Sequence, residues 1–292
     1  MRLARIVVRQ ALVWSGLVIA GAAVLAALAT TVDGGAGLGV ADALQVGVLR
    51  VPGLLLPLLP ALCGLAAGVA AARQAARGER LALELAGHVP TRIAGLGLIV
   101  GLGLGCLGWA VHGQVVPAAE ARADHLGGVA DAPWVFVDGD AIRVRDGLLV
   151  RLEEDVIVGI EVSAESDLRT PALREAAARQ RPARASGAVL ASATGTPARV
   201  ERMGRQARVL AAALLAFVGW LPLARVPASQ VGVALVGGLS WASADVVLRA
   251  AAAQGRVGPT VGAWGATLLV LLLVGAAVFW IRRSRGGVGQ AR

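Results

Sequence analysis

The sequence predicts an α-helical membrane protein of six transmembrane helices, with a β-rich extracytoplasmic domain inserted between the third and fourth. Three observations carry this. Of the 292 residues, 57% are hydrophobic and only 16% are charged, and mean hydropathy is +0.70; a soluble domain carries roughly a quarter charged residues. The apolar residues gather into runs of bilayer length, separated by short arginine-bearing links. One long stretch, Pro117–Arg208, breaks that pattern. The formal net charge of +9 comes from arginine, since the sequence contains no lysine. Because the arginines stand beside apolar runs, the charge reads as orientation in a membrane rather than as nucleic-acid binding.

The first span is read at Val7–Ala29, preceded by Arg2, Arg5 and Arg9. The second, Ala43–Ala72, contains Pro52, Pro57 and Pro60, and neighbouring helices must satisfy the carbonyls these prolines free. Arg73–Arg92 is a polar link with helical spacing that stops at Gly87, with Pro90 just beyond. The third span, Ile93–Val116, carries Gly97, Gly101 and Gly105 at every fourth residue, a stripe that permits close helix packing. Three more spans follow at Val209–Ala224, Gln230–Ala250 and Val257–Ile281. The first of these is short, about 16 residues or ~24 Å at 1.5 Å per residue, so Arg208 and Arg225 are expected to snorkel at its ends. Trp109, Trp134, Trp220, Trp241, Trp264 and Trp280 stand near span ends and read as interfacial anchors.

Within Pro117–Arg208, strands are predicted at Trp134–Val137, Ala141–Val144, Leu148–Leu152 and Val156–Val162. Asp138-Gly139-Asp140 and Asp146-Gly147 supply hairpin turns. The arginine- and alanine-rich second half, Asp167–Arg208, holds a helix start at Thr170-Pro171 and a loop over Ser186–Pro197. The expected organisation is therefore residues 1–116 with three spans and a cytoplasmic helix at about 74–87, an outer domain at 117–208, and three spans with a tail at 209–292. The arginine bias puts the N-terminus, the Arg73–Arg92 link, Arg225 and the C-terminal Arg282, Arg283, Arg285 and Arg292 on the cytoplasmic side. Both termini are then cytoplasmic and 117–208 is extracytoplasmic.

The chemistry is sparse. A phosphate-binding Walker A loop needs its lysine, so this chain supplies no ATPase. Cys63 and Cys106 lie in apolar runs and read as small hydrophobes rather than redox or metal groups. Ser240, in Gly238-Leu239-Ser240-Trp241-Ala242, has His112 as its one conceivable base and no oxyanion-hole motif. The expectation is a protein that is not an enzyme and carries no cofactor. Ionisable groups within membrane segments are candidate functional residues. Arg50, Arg249 (one turn after Asp245) and Arg256 share one outer depth, where they either hold the phosphates of an anionic lipid or are neutralised by Asp245 and headgroups.

Several local patterns, in order, resemble the LptF/LptG permease family of lipopolysaccharide exporters. They are Pro52 and Pro60 on the second span, Glu79–Gly87 (ERLALELAG), Val115-Val116-Pro117-Ala118, and Gly255–Trp264 (GRVGPTVGAW). The family has proline two residues after that tryptophan, where this chain has Ala266. It also has a basic residue at the outer end of the first span, where this chain has Thr30, Thr31 and Asp33. The resemblance implies a permease subunit in the bacterial inner membrane, with a partial jelly-roll-like periplasmic domain. It implies an LptB-like ABC ATPase that hydrolyses the ATP, a second LptF/LptG-like permease, LptC/LptA-like lipid acceptors, membrane lipid as ligand, and no nucleic acid. It assigns coupling to the ATPase to the 74–87 helix, through Glu79, Leu83, Glu84 and Gly87. On the residues alone, Arg77, Glu79, Arg80 and Glu84 equally pair with one another along an interfacial helix. The alternative function is a non-transporting scaffold that binds an envelope partner through its outer domain.

Overall fold

A computed structural model of the chain describes residues 2–34, 39–126, the strand segments between 134 and 162, residue 190, and residues 196–223 and 226–286. Seven helices occur among them: α1 (Arg2–Gly34), α2 (Val40–Ala76), α3 (Glu79–Leu85), α4 (Pro90–Leu126), α5 (Thr196–Trp220), α6 (Pro227–Ala253) and α7 (Pro259–Gly286). Between α4 and α5 lie β1 (Trp134–Val137), β2 (Asp140–Arg143), β3 (Leu148–Glu153) and β4 (Val156–Val162), paired antiparallel in the order β1-β2-β3-β4. Register runs from Trp134 opposite Arg143 to Leu148 opposite Val162, with one irregularity at Arg151/Leu152. The predicted turns at Asp138-Gly139 and Asp146-Gly147, the helix start at Thr170-Pro171, most of the Ser186–Pro197 loop and the Arg225 link lie outside the described residues.

Local chemistry explains the helix ends. α4, α6 and α7 each begin at a proline, which needs no hydrogen-bond partner for its nitrogen in the first turn and has the right φ in advance. α3 closes with a Schellman motif: the His88 N–H donates to the Leu83 carbonyl and the Gly87 N–H to the Glu84 carbonyl, each at 3.0 Å. Gly87 sits at φ 83°, where a side chain would be strained, so the glycine ends the helix. Gly255, at φ 71°, ends α6 in the same way.

The expected fold class needs correction on two points. Five helices among the described residues, not six, are long and apolar enough to cross a bilayer: α1, α2, α4, α6 and α7. α5 is not among them, because the half preceding Val209 carries Arg199, Glu201, Arg202, Arg205 and Arg208. What remains up to Trp220 is about 12 residues, ~18 Å of helix against a hydrocarbon core of ~30 Å. Nor is there a partial jelly roll or a β-rich domain among the described residues. A jelly roll needs eight strands in two sheets, whereas the described chain is overwhelmingly helical and has one short meander. α4 runs straight through Pro117 to Leu126, and α5 already starts at Thr196. The Ala-Glu-Ala-Arg-Ala run after Pro117 favours helix strongly enough to prolong it. Pro117 therefore lies inside a helix and does not end it.

The chain divides into two compact units, residues 1–24, 55–110 and 203–292, and residues 25–54 and 111–202. In the first, α5 is the hub. Ala212, Ala216 and Trp220 pack with Val7 and Ala11 of α1, Cys63, Ala67, Ala70 and Ala71 of α2, and Ile93 and Ala94 of α4. Ala211, Leu214 and Leu215 pack instead with Trp241 of α6 and with Ala266, Val270 and Val274 of α7. A helix buried on opposite faces in this way is an interior element rather than a lipid-facing span. The glycine stripe of α4 meets this helix: an added Cβ at Gly97 would strike the Trp220 ring, at Gly101 the Ala212 carbonyl, and at Gly105 the Val209 backbone. The C-terminal end of α5 is closed by buried Gln230, whose amide donates to the Gly219 and Leu221 carbonyls at 2.9 and 2.6 Å. The Leu221 carbonyl also accepts from the Leu223 N–H at 2.8 Å, whereas the Gly219 carbonyl would otherwise be orphaned at the helix end.

Trp220 and Trp241 are correspondingly buried. They are core residues and not the interfacial anchors that their sequence positions suggest. Trp109 is exposed, while the side chains of Trp134 and Trp280 lie outside the described residues. In the second unit, Thr30 donates to the Gly47 carbonyl at 3.2 Å, tying α1 to α2 where a Cβ on Gly47 would collide with the α1 backbone.

Candidate functional site

Two polar constellations stand out against the apolar helices of the first unit. One surrounds α3. This helix has no buried residue; Leu83 is its partly buried contact with the core. Leu81, Leu85 and Val89 are exposed, Leu85 at 81%; Leu81 and Leu85, four apart on α3, share one face, while Val89 lies beyond the turn at Gly87. The Glu79 side chain, 38% exposed, ends a hydrogen-bonded chain. Gln74 Nε2 donates to Gln10 Oε1 at 2.5 Å, and Gln10 Nε2 donates to Glu79 Oε2 at 3.2 Å. The other Glu79 oxygen lies 3.7 Å from Arg77. Glu84 pairs with Arg80 at 3.3 Å, one turn apart. Nearby, the Arg73 guanidinium stacks 5.0 Å over the Trp14 ring, a cation–π contact that further joins α2 to α1.

The second constellation is a buried ionic cluster between α5 and α6. Asp245 Oδ2 lies 2.9 Å from Arg249 Nε and 3.6 Å from Arg208 Nη2. All three side chains are largely shielded from solvent. Gly204 makes room for Arg249, whose guanidinium occupies the space a Cβ there would need. From α7, Thr267 donates to the Ala207 carbonyl of α5 at 3.3 Å. Arg208 is therefore an interior ion-pair partner and does not snorkel from a span end.

Of the sequence-predicted coupling residues, Glu79, Leu83, Glu84 and Gly87 are all on or at the end of α3, as part of one element. Of the predicted lipid-binding arginines, Arg249 is engaged with Asp245, Arg256 is exposed in the link after α6, and Arg50 is half-buried on α2 in the second unit. That unit also holds a buried pair, His112 Nε2 and Glu201 Oε1, at 3.8 Å. Sequence reasoning did not single out Gln10, Gln74, Gly204 or Arg208 as site residues. A usable signal existed for the glutamines: an amide inside or at the end of an apolar run needs a partner on another helix. Among the described residues, no group of three or more His, Cys, Asp or Glu side chains is arranged to hold a metal.

The five apolar helices define the class: this is a multi-pass membrane protein. No protein-family model matches the chain, and no curated protein matches it.

Proposed function

We propose that the chain is the permease subunit of an ABC-type exporter, which moves lipopolysaccharide or a related anionic glycolipid from the bacterial inner membrane toward the outer membrane. ATP is hydrolysed by a separate subunit, because a chain without lysine has no Walker A loop. The observation that carries the reading is α3. A seven-residue helix between two spans, in a polar link, leaves Leu81 and Leu85 uncovered by the rest of the chain, and uncovered apolar side chains in a polar link mark docking surfaces. The sequence resemblance to LptF/LptG permeases supplies the identity of the occupant, an LptB-like ATPase, together with a second permease copy and periplasmic acceptors. Among the arginines, Arg256 is exposed and remains the accessible candidate for a lipid phosphate.

The test is co-purification from a bacterial membrane with an ATPase that itself carries a lysine-bearing phosphate loop. Leu85→Arg is expected to weaken that association by tenfold or more, as removal of an apolar anchor does, without changing the fold, since Leu85 touches little of its own chain. Equal recovery of the ATPase with Leu85→Arg, or none with the wild type, would show the proposal to be wrong. An envelope protein recovered without an ATPase would favour the scaffold.

Arginine placement supports a cytoplasmic N-terminus and α3, a periplasmic strand region, and a cytoplasmic C-terminus. Five crossings alone would leave the ends on opposite sides, so counting no longer supports the last assignment, which rests on Arg282, Arg283 and Arg285. Reporters fused before Met1 and after Arg292 are expected to read cytoplasmic together, which requires α5 to pass among the other helices and not through lipid. A C-terminal reporter active only outside would reverse that assignment.

A further inference from the structure

We infer that Glu79 is a positioning residue rather than a contact with a partner: through Gln10 and Gln74 its carboxylate fastens α3 to α1 and α2, and so sets the direction in which Leu81 and Leu85 are presented. The partner half of this statement rests on the proposed exporter reading; the fastening does not.

A seven-residue helix is far below the length that is stable by itself in water, and α3 buries none of its residues. Its placement depends on the few attachments it makes to other elements. The Arg80–Glu84 pair lies wholly within α3 and cannot locate it. Arg77, 3.7 Å from Glu79, belongs to the adjoining turn. Among its side chains, Leu83 packs against the core cluster, Arg80 lines a small cavity with Ala71, Gln74, Ile93 and Trp220, and Glu79 makes the directional bond to another helix, to Gln10. The amide chain has one consistent direction. Gln74 is 5% exposed, so its N–H must be satisfied within the protein. It donates to the Gln10 oxygen, which leaves the Gln10 N–H group to find an acceptor, and the Glu79 carboxylate provides it. A hydrogen bond to a charged acceptor is the stronger kind.

This assignment predicts that charge and geometry can be separated. Gln10→Glu sets two carboxylates against each other and breaks the link. The double variant Gln10→Glu/Glu79→Gln restores it. The carboxylate introduced on α1 then accepts from Gln74 and from the amide introduced on α3, while the charge moves from α3 to α1. Backbone amide exchange over residues 80–88 is measured in the purified full chain, alongside ATPase association. Gln10→Glu is expected to raise exchange roughly tenfold, the effect of losing one charge-assisted bond. The double variant is expected to return to within about twofold of wild type and to recover the ATPase. Gln10→Ala, which removes the link without adding charge, should match Gln10→Glu and replaces it if that variant fails to fold. Exchange in the double variant as fast as in Gln10→Glu, or unchanged exchange in all variants, would overturn the inference. So would restored protection with the ATPase still lost, since the charge of Glu79 would then be meeting the partner directly. If no ATPase binds even the wild type, the exporter reading falls and the exchange result alone decides whether Glu79 fastens α3.

Discussion

Replacing Asp245 with alanine is expected to destabilise the folded chain by about 3–5 kcal/mol, the range seen when one partner of a buried ion pair is removed. Asp245 is 5% exposed, and its carboxylate lies against two guanidinium groups, Arg249 at 2.9 Å and Arg208 at 3.6 Å. Removing that carboxylate takes a counter-charge from both guanidinium groups. Asp245→Asn keeps the shape and an acceptor oxygen, and should cost less, about 1–3 kcal/mol. Removing Arg249 instead leaves Asp245 facing Arg208 and should also cost less than Asp245→Ala. Thermal unfolding in detergent, with monodispersity as a second readout, checks the order. An Asp245→Ala variant within about 0.5 kcal/mol of wild type, the usual range for ordinary surface sites, would mean the cluster contributes nothing to holding α5 against α6.

A side chain at Gly101 is expected to have the other large effect. Its Cβ would lie 2.6 Å from the Ala212 carbonyl oxygen and 3.0 Å from the Ala213 Cα. These are backbone atoms of α5, and no rotamer change can move them aside. Gly101→Ala should cost about 1–3 kcal/mol, with Gly101→Leu at or beyond the upper end. Gly103, two residues on, is exposed and has nothing within 4 Å of its Cβ position. Gly103→Ala should be neutral or stabilising by up to about 1 kcal/mol, since alanine is the better helix former. Denaturation of the two alanine variants side by side gives the answer, and equal stabilities would contradict the packing of α4 on α5.

Much of this architecture is legible in the chain. The stop at Gly87 and the packing role of Gly97, Gly101 and Gly105 follow from backbone conformation and side-chain size, which are properties of single residues. Two departures share one cause. A run such as Val209–Ala224 reports how apolar a segment is, not what its faces touch. Its hydropathy therefore suggests a sixth span, and Trp220 at its end suggests a surface anchor, although both lie in the interior. Val115-Val116-Pro117-Ala118 has the look of a helix end, yet proline breaks a helix less decisively when strong helix formers follow it. Gln10 and Glu79, 69 residues apart, become partners only when α1, α2 and α3 are brought together.

Composition and hydropathy alone therefore determined the membrane class and the apolar helices, because these depend on which residues are present and in what local order. Only the tertiary structure decided that α5 is the interior hub, that Arg208 and Arg249 share Asp245, and that Glu79 accepts from Gln10. Those outcomes depend on which faces meet across the bundle, and a periodic apolar pattern leaves the choice of facing partner open.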